Sequence, residues 1–256
     1  MLSIFQEVTV LAARRAVRAW PVALSFIAYA AILVAAAMVL APLGMVGGLV
    51  LGLVVAACWS SYLELASQAV AGRKIRLSWA ELRRTFGAKF WDVVSVMFAF
   101  WILSFVLGPA LRGPDGERVA AVFGLAVAFF FNAVPELLYQ GHSRSFALLL
   151  ESGRFMIAHP LVWMLPNLVF ASLLLFPTGR LAVGHPAELL LVFGSTFSSP
   201  LGLVSMVTAW PVWTWPLILF GLHYAMMFRG LLFQRLSSGS GSDNARLRAF
   251  KAKMNG

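Results

Sequence analysis

The chain reads as long apolar runs separated by short polar stretches rich in arginine and lysine. From Trp20 to Leu63 there is no charged residue, a run of 44 positions. A bilayer hydrocarbon core about 30 Å thick is crossed by about 20 helical residues, so this run has room for two spans. Pro42 and Gly44 mark the turn between them. The pattern predicts a first helix over residues 21–41, with Pro21 tolerated in its first turn. A second is expected over 44–70, with Glu64 inside it. A third follows Asp92, over 93–111, and the polar stretch Arg112-Gly-Pro-Asp-Gly-Glu-Arg118 closes it as a loop. A fourth, over 119–140, carries Glu136, and a fifth covers 160–177. The last helix opens at Trp210, Trp213 and Trp215, which lie beside Pro211 and Pro216 and read as an aromatic belt at one face of the bilayer. Segment 187–209 contains Gly194-Ser-Thr-Phe-Ser-Ser-Pro200, which breaks a helix. Two readings of it stay open: a re-entrant hairpin shielded by protein or water, or a pair of short helices lying on the interface.

The polar stretches repeat one another. Ser3-Ile-Phe-Gln6 and Ser78-Trp-Ala-Glu81 both fit a capping box, in which Ser caps a helix and Gln or Glu reaches back to it. Ser145-Phe146 opens a third copy, with Leu148 where the box wants an acid or amide. Each start leads into an amphipathic segment. Ile4, Val8 and Leu11 line the apolar face of the first, Trp79, Leu82 and Phe86 that of the second, and Phe146, Leu149 and Leu150 begin the third. The exits are Arg18-Ala-Trp20-Pro21, Lys89-Phe-Trp91 and His159-Pro-Leu-Val-Trp163. A helix with one apolar and one basic face lies in the membrane interface. The unit is therefore an interfacial helix, a span out and a span back, and three copies over about 1–72, 73–142 and 143–236 account for nearly all of the chain. Residues 237–256 read as a flexible basic tail.

Composition agrees with the pattern. Apolar residues make up 61% of the 256 and charged ones 12%, with a mean hydropathy of +0.85. A soluble domain carries about 25% charged residues, so a soluble globule is excluded. Cys58 is the single cysteine and rules out an internal disulfide. The formal net charge of +10 flanks apolar spans, so it faces anionic headgroups and not nucleic acid. Orientation follows from where the cations fall. Of the 20 arginines and lysines, 17 lie on one side of a six-span arrangement; only Arg112, Arg118 and Arg180 lie on the other. Both termini are then cytoplasmic. The first apolar run is longer than the core of a secretory signal and follows nineteen residues with a helical pattern of their own, so it reads as a span.

The stretch from Ser78-Trp79 to Lys89-Phe90-Trp91 resembles an amphipathic segment that precedes a span in poorly characterised bacterial six-helix membrane families. These include the membrane domain attached to some glycerophosphodiester phosphodiesterases. The resemblance implies a six-helix membrane domain; the soluble phosphodiesterase part is absent, so that activity is not implied.

Ionisable residues inside spans are functional candidates because burying them in lipid is costly. Glu64-Leu-Ala-Ser-Gln68 and Glu136-Leu-Leu-Tyr-Gln140 share Glu-Leu-x-x-Gln near the cytoplasmic ends of the second and fourth helices. The third copy keeps Gln234 and has no acid, and Arg229 and His223 are its polar groups. Glu64 and Glu136 are expected to pair with basic or hydroxyl groups of the adjoining interfacial helices. Among His142, His159, His185 and His223 no pair has the spacing that puts two ligands on one helix face, so no metal or haem is assigned. Gly44, Gly48 and Gly52 recur every four residues, with Ala56 next, and are expected to form a helix-packing face. Walker, GxSxG and HExxH motifs do not occur.

These observations define an all-α polytopic membrane bundle of about six helices, without catalytic residues, metal or cofactor. The expected role is a non-catalytic bacterial inner-membrane scaffold, anchor or regulatory subunit whose partners are an anionic bilayer and other membrane proteins. The alternative is a small transporter or channel for a lipid, small solute or cation, built around Glu64, Gln68, Glu136, Gln140 and His223.

Overall fold

A computed structural model describes residues 2–75, 83–85, 87–111, 116–140, 146–175 and 215–254. The described residues form helices and turns, with no strand among them. In chain order the helices are α1 (Leu2–Arg18), α2 (Trp20–Leu40), α3 (Gly44–Val70), α4 (Phe90–Leu111), α5 (Gly116–Phe130), α6 (Val134–Gln140), α7 (Phe146–Ala158), α8 (Pro160–Leu175) and α9 (Trp215–Met254). Two stretches, Trp20–Val70 and Pro216–Ser238, are long and apolar enough to cross a membrane, and Phe90–Leu103 and Pro160–Phe170 are shorter apolar helices. The capping box at 78–81, Phe86, His142, Ser145, His185 and the segment 187–209 lie outside the described residues.

The bends fall where backbone chemistry demands them. A short 3-10 turn, Ala41–Leu43, joins α2 to α3, and Gly44 follows it at φ 55, a left-handed conformation that glycine adopts without Cβ strain. α3 ends in a Schellman turn. Gly72 at φ 77 donates to the Ala69 carbonyl at 2.9 Å, and Arg73 donates to the Gln68 carbonyl at 3.0 Å. Residues 119–140 do not form the continuous helix that their apolar pattern predicts. The helix stops at Phe130 and restarts at Val134, with turn backbone between. Pro135 explains the break: it has no N–H to donate, and its ring collides with the carbonyl four residues earlier, that of Phe131.

α3, α6 and α9 pack on one another at the centre. α2 lies against α3 and α9, α4 against α3 and α5, and α8 against α9 and α7. α1 packs along α9 and touches α3; α7 packs on α4, α5 and α6. α1 is therefore seated on the bundle by Val8, Ala12 and Ala16, spaced four apart and all buried. Its buried stripe is displaced from the expected Ile4, Val8 and Leu11 face: Ile4 is exposed and Leu11 half-buried, because small side chains admit a closer neighbour.

Two further expectations are corrected. Among the described residues Gly44, Gly48 and Gly52 do not form a packed face, since a Cβ at any of them meets none of those residues within 4 Å. The close approach is one residue away, at Gly47, which is buried and whose Cβ would overlap the Leu40 carbonyl. Residues 237–254, expected as a flexible tail, continue α9 as helix to Met254. The run Ala245-Arg-Leu-Arg-Ala-Phe-Lys-Ala-Lys253 is made mostly of strong helix formers.

Candidate functional site

The break between α5 and α6 builds the polar centre of the protein. It takes the Asn132 carbonyl out of the helical ladder, and the guanidinium of Arg229, from α9, donates to that oxygen through Nη2 at 2.6 Å. Arg229 also grips Glu136 side-on. Nε donates to Oε1 at 2.7 Å and Nη2 to Oε2 at 2.9 Å. Nη1 donates to Asn167 Oδ1, on α8, at 2.9 Å. The two charged side chains are only 3% and 0% exposed. Every nitrogen of the fork thus has an acceptor in a site closed to water, the condition under which a buried ion pair is tolerated.

A second layer fixes those acceptors. Asn167 Nδ2 donates to the Trp163 carbonyl at 2.7 Å and to Asn132 Oδ1 at 3.2 Å. The Trp163 indole N–H donates to the same Asn132 oxygen at 2.8 Å. The Trp163 ring also lies under the guanidinium, 5.1 Å from Cζ to its centroid, an arrangement that adds a cation–π attraction. Five residues from α6, α8, α9 and the α5–α6 break are locked into one network.

Glu64 and Glu136 do not share an environment, although they hold matching places in two repeats. Glu136 is fully buried against Arg229. Glu64 is half-buried and accepts from Gln68 Nε2 of its own helix at 3.3 Å. Nor does Glu136 draw its partner from the adjoining α7 as expected; the cation comes from α9, because the α5–α6 break turns the carboxylate toward that helix. Gln140 Nε2 donates to the Gly230 carbonyl at 3.2 Å. His223 is fully buried, and its ring faces the Ala16 carbonyl of α1 without reaching hydrogen-bond geometry. The structure therefore brings Glu136, Gln140 and the α9 backbone together and leaves Glu64, Gln68 and His223 apart from them.

Gly230, like Asn132 and Asn167, is a site position that the sequence pattern did not single out. Gly230-Leu-Leu-Phe-Gln234 aligns with Glu136-Leu-Leu-Tyr-Gln140, with glycine in place of the acid. Here α3, α6 and α9 meet: a Cβ at Gly230 would overlap the Tyr139 hydroxyl and lie 2.7 Å from Val70 Cγ2. The matching residue four positions before each acid also has a matching task. Ser60 Oγ accepts from the Lys89 N–H just before α4 at 2.9 Å, and Asn132 Oδ1 accepts from Trp163 near the start of α8. Ser61 extends the first junction, accepting from Tyr29 at 2.7 Å and lying 3.2 Å from Thr85 Oγ1.

An open cleft of about 960 Å³ lies where the ends of α3 and α6 and the middle of α9 meet α7, lined by Ser67, Tyr139, Gln140, Glu151, Arg154, His159 and Gln234 among others. Among the described residues no three His, Cys, Asp or Glu side chains come together as metal ligands. On α1, Arg15 is held below its usual pKa by partial burial. No family model matches the chain, and no curated protein or solved structure matches it significantly.

Proposed function

We propose that this chain is a six-span bacterial inner-membrane protein that serves as a non-catalytic scaffold, anchor or regulatory subunit of a larger membrane assembly. Large apolar side chains point outward along the helices. Met45 is 95% exposed, and Leu161 and Leu217 are each 78% exposed. Ile27, Val34, Met38, Leu49, Trp101 and Phe105 are exposed with them. A surface of this kind supports lipid as the solvent. The proposed architecture is three units around a pseudo-threefold axis, with the returning helices α3, α6 and α9 inside. It is supported by the packing of α2 on α9, of α4 on α3, and of α8 on the α5–α6 break through Asn132. Basic groups on α1 and after α3 support cytoplasmic termini through the cation bias of the sequence.

The single observation that carries the scaffold reading is the Glu136–Arg229 network. A proton or cation path needs a carboxylate that exchanges with water, whereas Glu136 has both oxygens clamped by one guanidinium in a dry site. Such a carboxylate braces helices. The transporter reading has one support, the open cleft at the Tyr139 and Gln140 end of the bundle. The test is purification of the intact chain from membranes in mild detergent, followed by reconstitution. A subunit co-purifies with other membrane polypeptides in fixed ratio. A chain that purifies alone, and passes solute in vesicles with a flux abolished by Glu64→Gln, overturns this reading in favour of the transporter.

A further inference from the structure

The outer face of α1 carries cations that the fold does not use. Arg14 and Arg18 are four residues apart, hence one turn apart on one face, and both are exposed. Neither has a hydrogen bond or ion pair to another described residue. Arg15, between them in sequence, is committed elsewhere: it is half-buried, with its guanidinium against Gly72 of the Schellman turn ending α3. That site is favourable for a cation, because the negative end of the helix dipole lies there. Arg73 and Lys74 follow the turn and are exposed. An open groove of about 850 Å³ runs along Arg14 and Arg18 beside Leu11, Ala13, Val17 and the flank of Arg15. Exposed apolar side chains follow directly along the chain, with Val17, Trp20, Leu24 and Ile27 all exposed. The arrangement is a cluster of cations that runs straight into an exposed apolar stretch.

We propose that Arg14 and Arg18 bind the phosphate of an anionic phospholipid whose acyl chains lie along Val17 and the outer face of α2, a site that rests on the membrane location proposed above. Two guanidinium forks one turn apart offer parallel donors to a phosphodiester. Arg73 and Lys74 add positive potential at the same level, which repels the ammonium of a zwitterionic headgroup. The site therefore selects an anionic lipid over phosphatidylcholine.

The experiment places the intact chain in lipid discs holding equal amounts of phosphatidylglycerol and phosphatidylcholine, and counts the lipids that stay bound on release by native mass spectrometry. Phosphatidylglycerol is expected in excess, with the preference falling about fivefold for each of Arg14→Gln and Arg18→Gln. Arg154→Gln, an exposed cation on α7, keeps it, and soluble glycerol phosphate does not compete. Retention of the preference in the Arg14→Gln/Arg18→Gln chain overturns the site, as does an equal loss in Arg154→Gln or competition by glycerol phosphate. A chain that inserts and shows no preference overturns the site alone. A chain that fails to insert overturns the membrane reading as well.

Discussion

Arg229 meets Glu136 edge to edge, with Nε on Oε1 at 2.7 Å and Nη2 on Oε2 at 2.9 Å, across 93 residues of sequence. Neither charge is reached by water, so each depends on the other. Arg229→Met is expected to destabilise the chain by about 3–5 kcal/mol, because it leaves a buried carboxylate without its counter-charge. Glu136→Met strands the guanidinium at a similar cost, and the double change recovers a large part of the loss. Unfolding of the four proteins in mixed detergent measures the coupling. Simple addition of the two single effects would show that the pair does not act as a unit.

Asn167 occupies the third side of the guanidinium, accepting from Nη1 at 2.9 Å while its own amide donates to the Trp163 carbonyl at 2.7 Å. Asn167→Leu keeps the volume roughly constant and removes the acceptor. One buried guanidinium N–H then has no partner, at about 1–3 kcal/mol. Asn167→Asp supplies a carboxylate instead and is expected to retain more stability than the leucine variant. An Asn167→Leu melting curve superimposable on the parent's would count against the network.

Tyr139 and Gly230 make a close crossing of α6 and α9, and it yields a prediction with an internal control. Gly230→Ala puts a methyl into the Tyr139 hydroxyl and against Val70, an overpacking expected to cost about 1–3 kcal/mol. Tyr139→Phe removes the obstructing oxygen, so Gly230→Ala should be milder in that background. An equal penalty with and without the hydroxyl would place the strain at Val70 Cγ2 on α3 rather than at the hydroxyl.

The helix boundaries were largely legible, since long uncharged runs bounded by Pro42, Gly44 and Pro160 leave few choices. α3 starts and ends at the residues its pattern predicts. The α5–α6 break was legible only in part: Pro135 was visible, but apolar periodicity continues through it and hides the interruption. The partner of Glu136 was hidden for another reason. Glu64 and Glu136 open matching Glu-Leu-x-x-Gln stretches, and Arg229 stands one position before Gly230, which opens the similar stretch on α9. The pair forms because α6 and α9 pack on each other, 93 residues apart in sequence. Comparing each acid only with its own loop looks along the chain and misses that contact. The small-residue face failed on similar grounds, because a four-residue spacing names a possible face and not the helix that occupies it.

The proposed topology rests on the distribution of cations and is tested without purification. Reporter fusions at Gly256 and at Gly116 are expected to report the cytoplasmic and the external side respectively, as six spans require. Signals from one side for both would remove the hairpin formed by α4 with the α5–α6 pair. An external signal at Gly256 would add a span before α9.

Gly47 and Gly48 are adjacent on α3 and should respond in opposite ways. Gly47 packs where the chain doubles back from α2, and any Cβ there runs into the Leu40 carbonyl. Backbone cannot swing aside as a side chain does, so Gly47→Ala must open the α2–α3 turn, at about 1–3 kcal/mol. At Gly48 a Cβ meets nothing within 4 Å, and the residue is exposed beside Met45 and Leu49. Gly48→Leu places an apolar side chain on an apolar outer surface, and it replaces a poor helix former by a good one. It is expected to leave thermal stability unchanged or slightly raised in detergent. A severe loss from Gly48→Leu would instead mean that a helix partner covers this face in the membrane. The pair of melting curves, Gly47→Ala against Gly48→Leu, separates a turn that needs glycine from a surface that merely contains it.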